Sequence, residues 1–86
     1  MQAEKIPYSV ILGKMIVTKE GKRLGFIKDI TFENKSGEII SLVLRDATIY
    51  TKNLNLEKTS SGEFLIPYNS IMAIGDFVIV SEEDLI

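Results

Sequence analysis

Chemistry in this chain would have to come from its carboxylates. Asp29, Glu33, Asp46 and Asp76 are scattered singly, and Glu82-Glu83-Asp84 stand together near the end. Paired acids can act as general acid and base, but no pattern here fixes a spacing between two of them. Asp76 follows Gly75, the pattern of a turn former. Glu82-Glu83-Asp84 reads as a solvated acidic tail, because a hard cation needs converging oxygens at fixed distances. The chain has no histidine and no cysteine. It therefore lacks the usual proton-transfer group at neutral pH, thiolate metal ligands and disulfides. "GKRLG" lacks the spacing and the Lys-Ser/Thr ending of a phosphate loop. The expectation is a protein that is not an enzyme, with no metal and no cofactor.

Bulk properties narrow the partners. Lys19, Lys22 and Arg23 cluster on one turn and Lys35 lies on another, yet the net charge is −2 and the pI about 5.0. With no aromatic residues interleaved, the basic turns read as solvated and nucleic acid is not the expected partner. Eighty-six residues make one domain with a thin core. No apolar run approaches the ~18 to 20 residues of a membrane span. No direct membrane insertion is expected, and the N-terminus has no signal-peptide layout, so the expected location is cytoplasmic.

Turn signals recur at Gly13, Glu20-Gly21, Ser36-Gly37, Ser60-Ser61-Gly62 and Gly75-Asp76, between runs of Ile, Val, Leu, Phe and Thr. That rhythm predicts an all-β fold, a small closed or partly open β-barrel. The expected strands are Lys14–Lys19, Arg23–Glu33, Glu38–Asp46, Glu63–Tyr68 and Phe77–Ser81. "PYNSIMAIGD" is the one expected helical turn, opened by Pro67 and closed by Gly75, with Ile71 and Ile74 on one side. Residues 46–63 read as a long loop. The expected organisation is an N-terminal tail at 1–8, the barrel at 9–81 and an acidic tail at 82–86.

Strict alternation fails in the second strand. Leu24–Glu33 would either bury Lys28 or leave Ile27 in water, so a bulge at Lys28–Asp29 is predicted. It would turn Lys28 outward, hand the inward phase from Ile27 to Ile30 and Phe32, and bend the strand into a corner. Asp29 at that corner is expected to accept main-chain N–H groups that the broken ladder leaves unpaired.

The third strand, "EIISLVL", is apolar on both faces: Ile40, Leu42 and Leu44 on one, Ile39 and Val43 on the other. A small barrel buries only one face of a strand, so the other must be covered by the loop, by Tyr8, Val10 and Ile11, or by a second subunit. The candidate protein-binding residues are Ile39, Val43, Tyr50, Leu54 and Leu56. The expected assembly is a homodimer or something larger.

"LGKMIVTKEGKRLGFIKDITFENKSGEIISLVL" followed by "LIPYNSIMAIGDFVIV" resembles the PRC-barrel family, over roughly residues 9 to 81. The positions that carry the resemblance are Gly13, Gly21, Gly25, Asp29, Gly37, Pro67, Gly75 and Asp76, each in a turn or at a corner. The resemblance implies a small β-barrel, closest to small stand-alone archaeal versions. It implies a non-catalytic adaptor or scaffold that dimerises and binds other proteins, among them archaeal cell-division components. The related barrel of the ribosome-maturation factor RimM implies the alternative, an accessory of RNA processing or ribosome maturation. RimM engages its precursor through a second domain that the resemblance does not cover.

Overall fold

Short β-branched runs between glycine turns give short strands, and here they give six. The computed structural model describes residues 8–85. The chain forms α1 (Tyr8–Ile11), β1 (Met15–Thr18), β2 (Arg23–Phe32), β3 (Ile39–Arg45), α2 (Ile49–Lys52), β4 (Leu65–Pro67), β5 (Ile71–Ile74) and β6 (Val78–Val80). Single 3-10 turns lie at Tyr68–Ser70 and Glu82–Asp84. All six strands join one sheet in the order β4-β3-β2-β1-β6-β5. Every neighbouring pair is antiparallel except β1 and β6. β4 and β5 follow each other in the chain yet form opposite edges, so the sheet curls until Tyr68–Ser70 can span the gap. Among the described residues, no strand pairing closes it. The fold is all-β, in the partly open form of the expected barrel.

The concave side holds the core: Ile16, Leu24, Ile27, Ile30, Leu42, Leu44, Ile66, Val78 and Val80, joined by Ile11 of α1 and by Leu85. Bulges bring them to one side. Ile27 faces Leu44 and Asp29 faces Val43, which leaves Lys28 as the extra residue on β2. Ile27 and Ile30 are both buried and Lys28 is exposed, as the broken alternation requires. The Ile30 N–H donates to the Asp29 carboxylate at 2.8 Å. Lys28 reaches out to pair with Glu63.

A second β2 bulge, at Leu24, is fastened by α2. The Thr48 hydroxyl donates to the Arg23 carbonyl and the Thr51 hydroxyl to the Leu24 carbonyl, each at 2.7 Å. Thr48 also caps α2 by accepting the Thr51 N–H. Bulged strands leave carbonyls without ladder partners, and buried carbonyls need one. Beside this joint Gly25 has φ +152°, and a Cβ built on it would lie 2.9 Å from the Arg45 carbonyl oxygen. No side chain fits there.

Four expectations need correction. Phe32 is 47% exposed, not inward, because Thr31 faces Ser41 while Phe32 faces Ile39, a further slip that makes Ile40 the extra residue. That slip also reverses the two β3 isoleucines: Ile39 packs against the core and Ile40 is 52% exposed. "PYNSIMAIGD" forms one 3-10 turn and then β5, rather than a helical turn throughout. Ile71 and Ile74 do share a side, through a bulge at Met72. Within 46–63, the four residues of α2 are helical.

The terminal assignments fall partly outside the described residues. Residues 1–7 and 86 lie outside them, and Tyr8 already begins α1. Within the expected acidic tail, Glu82–Asp84 form a turn that folds Leu85 back into the core.

Candidate interaction surface

The groups able to do chemistry do not converge. Asp29 serves its own corner. Glu33 accepts the N–H groups of Lys35 and Ser36 at 2.8 and 2.9 Å, which holds its carboxyl below the ordinary glutamate range. Asp46 pairs with Arg45 at 2.8 Å, and Glu83 with Lys19 at 3.6 Å. Lys22 sits 5.1 Å from the centroid of the Tyr50 ring. Thus two of the basic residues on the first hairpin are held by their own chain. Among the described residues, no three acidic groups are placed to hold a metal ion. None of the helices among those residues is long and apolar enough to cross a membrane.

The five residues read as candidate binders do not form one exposed patch. Ile39, Tyr50, Leu54 and Leu56 pack partly buried against the core, and Val43 is 5% exposed between Asp29 of β2 and Leu65 of β4. Tyr50 of α2 packs against the core with its hydroxyl enclosed. The Glu82 carboxylate beside it favours the protonated phenol and, with burial, pushes its pKa up to about 12. No group among the described residues stands in full hydrogen-bonding geometry on that oxygen.

Of these five, Leu56 reaches a groove. It lines a shallow apolar depression of about 240 Å³ with Ile40, Leu65, Pro67 and Leu85, rimmed by Asn55 and Glu57. Period-2 reading missed Ile40 and the groove because it put Ile40 inside. The signal available was the unbroken run Ile39-Ile40 beside the turn, which permits a slip in either direction.

The rest of the outer surface is built by register. Met15 faces Phe26, Val17 faces Ile79, and Ile79 also faces Ala73. Because Ile16, Val78 and Val80 point inward, these partners all point outward.

The match with known sequences agrees with this architecture. Residues 3–85 match the PRC-barrel domain. The chain belongs to the PRC-barrel domain family. Among its relatives is MJ1118, an uncharacterised protein of Methanocaldococcus jannaschii, 30% identical over 82 residues. That alignment spans 95% of this chain and 88% of the relative. In this PRC-barrel domain the glycines that carried the resemblance do conformational work: Gly13, Gly21, Gly25 and Gly37 all have positive φ. Pro67 ends β4 at a sheet edge, where a missing N–H costs no ladder bond. Gly75 closes the β5–β6 turn by donating to the Phe77 carbonyl at 2.9 Å, with Asp76 between them.

Proposed function

We propose that this PRC-barrel domain is a non-catalytic protein–protein interaction module, an adaptor that assembles with itself and holds a second protein. The observation that carries the proposal is the apolar groove between β3–β4 and the C-terminal turn, with Ile40 52% exposed at its lip. An aliphatic side chain held open beside other aliphatics is how a surface receives an apolar segment of another protein. The scatter of the carboxylates supports the same reading. The relative is archaeal, and this proposal sets the module in archaeal cell division, inside the cytoplasm. An RNA-processing or ribosome-maturation role draws less support, because the net charge is −2 and the few basic side chains of the first hairpin have no aromatic residues interleaved among them.

The test is affinity capture from the native cell with the full chain and with Ile40→Asp. The expected result is a protein captured by the original chain and depleted at least about tenfold by the variant. Ile40 is exposed, so the variant should melt at the same temperature. Identical capture by both chains would remove the groove, and no specific capture by either would remove the adaptor role.

A further inference from the structure

We infer that the groove at Ile40 takes a short segment of another protein in which an aliphatic residue adjoins a lysine or arginine. This inference rests on the proposed function and names the chemistry of the partner.

Size sets the kind of occupant. The depression holds about 240 Å³, below the roughly 300 to 1,000 Å³ of small-molecule and cofactor sites. That room suits a few side chains of a segment lying across it. Its walls are Ile40, Leu56, Leu65, Pro67 and Leu85, so the anchor it receives is aliphatic. Asn55 at the rim offers an amide donor and acceptor to a passing main chain.

Charge selects the residue beside the anchor. Glu57 lines the groove itself, Glu38 lies two positions before Ile40, and Asp84 lies one before Leu85. Chain reach alone puts the Glu38 Cα within about 7 Å of that of Ile40, and the Asp84 Cα within about 4 Å of that of Leu85. All three acids are exposed. Among the described residues none of them is in an ion pair, because the paired acids are Asp46, Glu63 and Glu83. The wall segments 38–41, 55–57, 65–67 and 84–85 contain no lysine or arginine. Lys58 follows Glu57 but turns to the Phe64 ring, 5.0 Å from its centroid, and Phe64 is not a lining residue. An aliphatic pocket with unpaired acids at its margin favours a cation next to the anchor. It repels phosphate, anionic lipid and acidic segments.

The experiment is selection of phage-displayed random peptides, each about ten residues long, on the full chain, followed by fluorescence titration of the peptides selected. The expected sequences place Leu, Ile or Val next to Lys or Arg. Their affinity should fall at least about tenfold with Ile40→Asp and about fivefold with Glu57→Lys. It should also weaken as salt rises from about 50 to about 300 mM. Glu57 holds the Leu65 N–H through its main-chain carbonyl, so reversing its exposed side chain keeps that bond, and an unchanged melting temperature checks this. Peptides that need Ile40 but carry no basic residue, or that ignore Glu57→Lys, overturn the chemistry named here and leave the adaptor proposal standing. Peptides that bind Ile40→Asp equally well overturn the groove too. Selection of no peptide overturns a short segment as the occupant. Displacement of the selected peptides by a synthetic peptide of residues 1–7, which contains Lys5-Ile6, would assign the groove to this chain's own N-terminus and overturn the inference.

Discussion

The outer surface of the sheet changes character at β2. On the β2–β3–β4 side polar groups pair within the chain, around the one apolar groove at Ile40. The Thr31 and Ser41 hydroxyls pair at 2.7 Å, Asp29 takes the Ile30 N–H, and Val43 is covered between its neighbours. On the β1–β6–β5 side nothing polar emerges from three strands. The edges differ in the same sense. Beyond β4, the Leu65 N–H donates to Glu57, Lys58 bridges Phe64, and Pro67 ends the strand. Beyond β5, no strand among the described residues pairs, and only the Ile71 N–H turns back, to the Tyr68 carbonyl. Natural edges are usually blunted by charge, proline or cover. One core therefore supports two kinds of surface, one of paired polar groups around a single apolar groove and one apolar along three strands.

The largest effect that tests this contrast is a pair of substitutions. Leu42→Ala removes a fully buried side chain whose partner on β4 is Ile66. It should lower unfolding free energy by about 3 kcal/mol, from lost transfer energy plus a cavity. Met72→Ala, on the open half, should change it by less than about 0.5 kcal/mol at concentrations where the chain is monomeric. Urea denaturation followed by circular dichroism measures both. Similar losses would mean that the exposed half is integral to the monomer, and the contrast would fail.

Gly25→Ala strikes the seam between the halves. Gly25 faces Ile16 of β1 on one side and has the Arg45–Ala47 backbone against the other, with the Ala47 Cα 3.3 Å from an ideal Cβ. Backbone cannot swing away as a side chain can, and φ +152° is strained for alanine. A loss of about 2 to 3 kcal/mol is expected, with the β1–β2 and β2–β3 amides exchanging faster together. Faster exchange on one side alone would show that the halves are not joined there.

How much of this was legible in the sequence depended on where the period-2 pattern broke. At Lys28 the break was visible, because a charge fell on an apolar phase, and the corner followed from it. At Ile40 and Met72 the extra residue is itself apolar, so the pattern carried no contradiction and the slip was invisible. A strict period of two therefore carries Phe32 and Ile40 inward. Ile71 and Ile74 are the instructive case: a spacing of three fits a helical turn, and a bulged strand gives the same side. The Thr48–Thr51 fastening of α2 was hidden because its partners are carbonyls, which every residue has. The outer apolar face needed register between strands distant in sequence, above all the parallel pairing of β1 with β6.

The smallest expected effect concerns acid. The hairpin between β2 and β3, in the β2–β3–β4 half, is held by a carboxylate: Glu33 accepts two N–H groups across its turn. The turns of the open half use uncharged acceptors, Gly21 donating to the Thr18 carbonyl and Gly75 to that of Phe77. Because folding depresses the Glu33 pKa below its usual 4.5, the ionised form contributes stability. That contribution is full above the unfolded-state value and is lost as pH falls through the lower folded-state value. The amides of Lys35 and Ser36 should therefore lose protection on acidification before those of Gly21 and Gly75. Glu33→Gln should flatten the fall of the urea midpoint below pH 4.5 and converge with the original chain once both carry an uncharged side chain. Parallel curves for the two proteins would show that main-chain bonds alone hold this turn as well, and the two halves would then differ only in what covers them.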